Sequence, residues 1–351
     1  MKVYISVLII YLLTSNAWSA ALGIEESWRR ISDPLIMSSS FNRVFSSLPL
    51  KGEVIEKEKH WSSDYWARRL GGINYRWNSS NPRGFNLVSP TKKQALKMTQ
   101  NELSSLSPAE KMDLLNGNYT YPIKNEIARY ASPQRPYWEG ICDGWAAAAS
   151  NHYEPSPKTL INPDGIPIPF GSADIKGLLS WYYARKVSTA YSHMGLRCRG
   201  GNSEERCRED MNAGAFHIVL TNRLGVRGYS FIADIMNNAE VWNHITYSYA
   251  TSILNDHLPP LSNSAPGTSK VVRVKTNVRF VDETKNYWDP VLGTSHQKYV
   301  SRNYHYYLDL DSHGNIIGGD WISSSRPDFL WLAKKTSSFR GDYSKLPLLL
   351  D

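Results

Sequence analysis

The sequence predicts an α+β fold in which a helix headed by a cysteine packs on an antiparallel β-sheet. Three features carry that expectation. The stretch Tyr137–His152, YWEGICDGWAAAASNH, sets Cys142 between Gly140 and Gly144, followed by four alanines. Alanine is the strongest helix former, so a helix begins here with Cys142 at or just before its N-terminus. Helix-start signals fill residues 91–130, and segments rich in β-branched and aromatic residues dominate from about residue 215 onward. Helices first and strands after is the α+β pattern.

The chain opens MKVYISVLIIYLLTSNAWSA. Lys2, the apolar run Val3–Leu13 and the small residues Ala17 and Ser19 read as a secretory signal peptide over residues 1–20. The apolar run is shorter than the roughly 20 residues a membrane-spanning helix needs. No other run is long and apolar enough to span, which favours an exported protein. Residues 21–60 are polar and irregular and read as a variable arm or a propeptide. Residues 61–335 form the expected folded unit, and 336–351 a polar tail held loosely.

Composition is that of a globular protein, 41% hydrophobic and 21% charged, with a formal charge of +8. The charge favours acidic surfaces in general. No Lys/Arg stripe accompanies a nucleic-acid-binding motif, so nucleic acid is not expected as a partner. The sequence contains no P-loop, dinucleotide fingerprint, zinc spacing or internal repeat.

Taken in order, Thr91 with Gln94 has the form of a capping box. Ser107 followed by Pro108 starts a helix that runs to about Leu115 and stops at Asn116-Gly117. The Pro-rich segment 155–169 is extended around Ile166, Ile168 and Phe170. Asp174–Arg185 is helical, with Ile175, Leu178, Leu179 and Tyr182 on a core-facing side. Ala215–Asn222 and Tyr229–Met236 read as two strands about a glycine-bearing loop. Pairing Asn222 with Tyr229 places His217 opposite Asp234, at the roughly 4.5–5.5 Å Cβ separation of facing residues. Ser269–Val281 and Asn303–Asp309 are strands. Asp311–Asn315 reads as a hairpin turn, because the twelve-residue calcium-loop pattern is absent.

The chain has three cysteines. In an oxidising compartment Cys198 and Cys207, which bracket a polar loop, pair as a disulfide. Cys142 is then left over, and a helix N-terminus favours its thiolate. Cys142 is thus a candidate nucleophile, and His217 facing Asp234 a candidate functional pair.

Several stretches resemble one family. Trp138–Ala148, the passage AFHIVLTNRLG followed by SFIADIMNNAEVWN, and YHYYLDLDSHGNIIGGDW followed by RPDFLW are similar, in the same order, to signatures of the transglutaminase elicitor family. The segment Glu240–Asn243 resembles the surface peptide that plants recognise in the oomycete members. The resemblance covers roughly residues 60–332 and implies a protein-glutamine γ-glutamyltransferase on a papain-like, transglutaminase-like core. It implies Cys142 as nucleophile, His217 as general base and acid, and Asp234 as the group orienting His217. Proteins with accessible Gln and Lys, and small primary amines, are the implied partners. No cofactor is implied, and calcium dependence is left open. Trp138, or another aromatic, is expected to shield a thioester. One departure is Asp143, where many members carry His after the cysteine; a carboxylate close to the thiol raises its pKa. Two alternatives keep the same fold: a papain-like thiol hydrolase or glutamine deamidase, and a non-catalytic surface or elicitor protein.

Overall fold

The computed structural model describes residues 28–187, 190–198, 211–336 and 338–350. The signal-peptide reading and Cys207 lie outside these residues.

Residues 28–60 pack onto the body of the protein. Trp28, Met37, Leu48 and Val54 are buried, and β1 (Lys51–Glu53) joins the main sheet. A helical layer follows. α1 (Lys92–Ala95), α2 (Gln100–Ser104) and α3 (Pro108–Leu115) each begin with a complete capping box, on Thr91/Gln94, Thr99/Glu102 and Ser107/Glu110. Each box satisfies amides that the first helical turn leaves free. α4 (Pro122–Ala128) has proline in its first turn, where its missing N–H costs nothing.

α5 (Cys142–Asn151) is the helix expected from the alanine run, and Cys142 is its first residue. Its last turn is closed by Ser150 and Asn151 side chains, which donate to the Ala146 and Ala147 carbonyls. The hairpin of β2 (Lys158–Ile161) and β3 (Pro167–Phe170) occupies the Pro-rich segment. α6 (Ser172–Lys186) follows and crosses α5. A Cβ at Gly144 would lie 1.9 Å from the Ser180 carbonyl oxygen, so α5 and α6 touch backbone to backbone. Lys111 of α3 and Asp174 of α6 form a fully buried ion pair. Breaking such a pair leaves an uncompensated charge and costs about 3–5 kcal/mol.

The remaining elements are β4 (Ala190–Gly195), α7 (Ala213–Val219), β5 (Ile232–Asp234), β6 (Asn243–Leu258), β7 (Lys270–Asp282), β8 (Lys298–Leu310), β9 (Ile316–Gly318) and β10 (Phe329–Ala333). They form an eight-stranded sheet in the order β4-β10-β5-β6-β7-β8-β9, with β1 on β6. Every pairing in it is antiparallel. The expected combination of helices with an antiparallel sheet is therefore observed.

Two expectations fail. Residues 215–222 are not a strand: Ala213–Val219 is α-helical and runs into a π-helical turn, Leu220–Val226. The Asn212 carboxamide oxygen caps the helix by accepting from Gly214 and Ala215 amides at 2.9 and 3.2 Å. Gly214 lets the helix come onto β9, since a Cβ there would meet the Gly318 carbonyl oxygen at 2.2 Å. The hairpin register that paired His217 with Asp234 therefore does not exist. Asp234 pairs with Asn243 instead. Nor is the C-terminal tail loose. Tyr343, Leu346 and Leu349 are buried, and Lys345 Nζ donates to the Leu115 carbonyl at 2.7 Å, closing the end of α3.

Candidate active site

The thiol is held by backbone. The Ile141 amide donates to the Tyr65 carbonyl at 2.7 Å, the Gly144 contact fixes α5 against α6, and Trp145 Nε1 donates to the Trp61 carbonyl at 3.0 Å. Cys142 is a free cysteine, 6% exposed. Its Sγ lies 3.6 Å from the Val241 carbonyl oxygen and 3.6 Å from Asn243 Nδ2. Trp331 Nε1 donates to Asn243 Oδ1 at 2.8 Å, so the amide's NH₂ end is the one turned to sulfur. Burial pushes the thiol up to about 12, and the Asp143 carboxylate adds to the shift; the Asn243 backbone and side-chain amides oppose both. Asp143 is itself raised by burial, opposed by Arg185 and then by backbone amides and Arg68.

The histidine expected to serve this thiol is elsewhere. His217 lies in α7 and is 1% exposed. Its Nδ1 is 2.8 Å from the Tyr306 hydroxyl, which continues to Thr276 at 2.7 Å and on to Thr251 at 2.8 Å. Its ring packs on Phe45, centroids 5.8 Å apart. Burial alone lowers it to about 3, with no charged neighbour contributing. Asp234, at the end of β5, accepts from the Trp242 and Met236 amides at 2.9 and 3.3 Å. Burial raises it to about 8; the Trp242 amide opposes, and Asp328 adds to the rise. No hydrogen bond, ion pair or ring contact joins His217 to Asp234 or to Cys142. The structure brings Asp234 one strand away from the thiol, through its pairing with Asn243, and leaves His217 outside that neighbourhood.

A different histidine stands at the head of α5. His244 follows Asn243 at the start of β6. Its ring meets Trp145 edge-on at 5.9 Å. Its Nε2 is 3.2 Å from Asp282 Oδ1, and its Nδ1 is 3.1 Å from the Trp242 carbonyl oxygen. Both neighbours are acceptors, so the doubly protonated ring donates to both and the neutral ring to one. The register makes the contact: Thr246 pairs with Phe280, and two residues further His244 faces Asp282. Burial raises Asp282, but the His244 hydrogen bond, the Glu283 amide and the charges of His244 and Arg302 together leave it below its ordinary value. Cys142, His244 and Asp282 thus come from a helix head and two adjacent strands. The sequence shows the two strands but not their pairing. Asn-His-Ile-Thr opens a long β-branched run, and Val-Asp-Glu closes the next.

Aromatic rings cluster around Trp242, which lies between the two residues that touch the thiol. Trp242 lies 5.6 Å from Tyr65 and 6.5 Å from Tyr137. Glu240 ties the group together, accepting from the Tyr137 hydroxyl at 2.6 Å and Trp242 Nε1 at 2.9 Å. Trp138, one of the aromatics considered as a shield for the thioester, lies under the Arg197 guanidinium at 5.6 Å. Beside Tyr65 opens a groove of 460 Å³ that also meets Asp64, Glu283 and Tyr287.

Among the described residues, no group of three or more His, Cys, Asp or Glu side chains is placed to hold a metal ion. The Asp311 carboxylate, part of the loop weighed for calcium, accepts from the His313 and Asn315 amides and from Asn315 Nδ2, as an Asx turn does.

The fold resembles a solved structure, the crystal structure of the GP42 transglutaminase from Phytophthora sojae. The TM-score is 0.69 at 20% identity, covering 93% of this chain and 98% of that one. No curated protein matches the sequence. The family model for the transglutaminase elicitor matches residues 124–340, a span that holds Cys142, His244 and Asp282. The chain belongs to the transglutaminase elicitor family.

Proposed function

We propose that this chain is a secreted protein-glutamine γ-glutamyltransferase with a papain-like arrangement of its active site. Cys142 is the nucleophile, His244 the general base and acid, and Asp282 the residue that holds His244. The observation that carries this reading is the meeting of the α5 N-terminus with β6, where Asn243 touches the thiol and His244 reaches Asp282. Export rests on the signal-like residues 1–20.

A glutamine carboxamide is a poor electrophile and needs a thiolate to attack it. His244 Nδ1, released from the Trp242 carbonyl, takes the thiol proton. The sulfur forms a bond to the carboxamide carbon. Asn243 Nδ2 and the Cys142 amide, free in the first helical turn, stabilise the oxyanion. His244 then passes its proton to the departing nitrogen, and ammonia leaves. The thioester that remains is opened by a lysine amine, giving an isopeptide bond, or by water, giving glutamate. Asp282 keeps the imidazole in place and stabilises its cation.

The test is incorporation of a fluorescent primary amine into casein, with calcium and with chelator, alongside ammonia release. Incorporation is expected in the wild type and lost in Cys142→Ala and His244→Ala. Full incorporation by Cys142→Ala would overturn the reading, and ammonia release without incorporation would make the protein a deamidase. One observation favours a non-catalytic surface protein: the sulfur is buried under the Val241 carbonyl with its pKa raised. Alkylation of Cys142 by iodoacetamide well below the pH of an ordinary thiol, once a glutamine peptide is bound, counts against that alternative.

A further inference from the structure

From the groove beside the thiol, we propose that Glu283 is the residue that receives the amine acceptor, pairing with its ammonium group and taking its proton. The inference rests on the acyl-transfer reading above and adds to it the side from which the second substrate arrives.

The placement comes first. The groove is walled by Tyr65 and Tyr287, with Glu283 and Asp64 within it. Tyr65 is joined to the residue before the nucleophile through the Ile141 amide, and Glu283 acts electrostatically on Cys142. The groove therefore adjoins the residue before the nucleophile. The partners come second. Asp64 is fully engaged, accepting from the Trp66 amide at 2.7 Å and Asn286 Nδ2 at 2.9 Å. Asp282 is engaged by His244. Glu283 is different: its Oε1 is buried and has no hydrogen-bond partner. Burial and the fields of Asp64 and Asp282 raise its carboxyl to about 8. Two lysines also meet the groove. Lys298 Nζ is held by the Ser295 carbonyl at 2.8 Å, and Lys285 is exposed. Neither forms an ion pair with Glu283.

An aromatic-walled slot with a carboxylate partner suits an alkylammonium, whose methylenes lie against the rings while its charge is matched. An ammonium is no nucleophile until it loses a proton. Glu283 as carboxylate takes that proton and becomes the neutral acid, which its surroundings favour. The freed amine lone pair bonds to the thioester carbon, and the C–S bond breaks. The nitrogen's second proton passes to the leaving sulfur through His244, restoring the thiol. Water carries no charge for Glu283 to match, so the same group biases the thioester toward aminolysis.

The experiment compares two acceptors on the full chain, using a glutamine peptide as donor. Cadaverine is cationic at neutral pH, and hydroxylamine is neutral there. In Glu283→Gln the KM for cadaverine is expected to rise about tenfold, while that for hydroxylamine moves less than twofold. Glu283→Asp is expected to recover part of the cadaverine effect. Equal losses with both acceptors would show that the substitution disturbs the neighbouring Asp282, and an unchanged cadaverine KM would show that Glu283 does not meet the amine; either overturns the inference while leaving acyl transfer standing. A wild type that forms no thioester and releases no ammonia would remove the acyl-transfer reading and this inference with it.

Discussion

Replacing Asp143 with asparagine removes a half-buried carboxylate from the position next to the nucleophile. Two unit charges about 7 Å apart interact by about 2 kcal/mol at an effective dielectric constant near 20, which is between one and two pKa units. Arg185 and Arg68 act on Asp143 and oppose its burial. Their positive field cancels part of its effect on sulfur, so about one unit is expected. Burial is the larger cause of the thiol's shift to about 12, and it persists in the variant. At pH 8 the thiolate fraction then rises about tenfold. A more acidic thiolate is a weaker nucleophile, with a Brønsted slope of about 0.4–0.5, which returns about threefold of that gain. The net expectation is alkylation about threefold faster at pH 8. Iodoacetamide rates from pH 7 to 11, with Cys142→Ala as the blank, measure it. A variant that reacts at the wild-type rate or slower would refute the assignment of Asp143 as a brake on the thiol.

His244→Ala and Asp282→Asn are expected to reduce amine incorporation by about 10²-fold or more, as loss of a general base does. His217→Ala should instead lower stability by about 3 kcal/mol through its buried volume and its Tyr306 bond, with incorporation per folded molecule retained. Denaturant midpoints beside turnover separate the two effects, and a His217→Ala enzyme that is stable but inactive would reinstate His217 as the base. Asn243→Ala is expected to cost about 10²-fold in kcat with little change in KM, the pattern of a lost oxyanion donor; a purely KM effect would contradict that role. Leu346→Ala should destabilise by about 2–5 kcal/mol, since Leu346 is fully buried, and a thermal midpoint equal to wild type would show the tail to be dispensable. Stability should also depend on pH from both sides. His217 is lowered to about 3, so its contribution is full above about 6.5 and is lost as pH falls toward 3. Asp234 is raised to about 8, so its contribution is full below about 4 and is lost as pH rises toward 8, at about 1.4 kcal/mol per pH unit. Asp234→Asn should therefore lose less stability than wild type between pH 5 and 8, as urea midpoints would show, and an equal loss would overturn that attribution.

Local signals that answer to local physics were legible. The capping boxes at Thr91 and Ser107, the helix opened by Cys142 and the turn at Asp311 stand where residue chemistry put them. Long-range register was not. Ile218 and Val219 suggested a strand, yet the Asn212 cap and the Gly214 contact with β9 hold the segment helical. A cap three residues upstream was the available sign, and it was outweighed by β-branched composition. His217 followed that error, because its pairing with Asp234 needed a hairpin. His244 needed the opposite knowledge, that β6 and β7 run antiparallel with Thr246 against Phe280. Nothing within a few residues of His244 announces Asp282. The tail was misjudged for a similar reason: its four leucines are crowded into residues 346–350 behind a polar stretch, and only the surface left open beside α3 and α6 explains the burial of Leu346 and Leu349.

The contact at Gly144 has a consequence for how freely this protein can vary. Alanine is the better helix former by about 1 kcal/mol, and by helix propensity alone Gly144→Ala should be welcome. A methyl group there would run into the Ser180 carbonyl oxygen at 1.9 Å and the Ala184 Cβ at 2.8 Å. α5 would have to lift from α6, carrying Cys142 away from Asn243 as it went. Substitutional tolerance in α5 is thus set by a neighbouring helix's backbone, which has no rotamers with which to yield. A saturation library of the chain should find α5 among its least permissive stretches, at Gly144 well before the sulfur itself is touched.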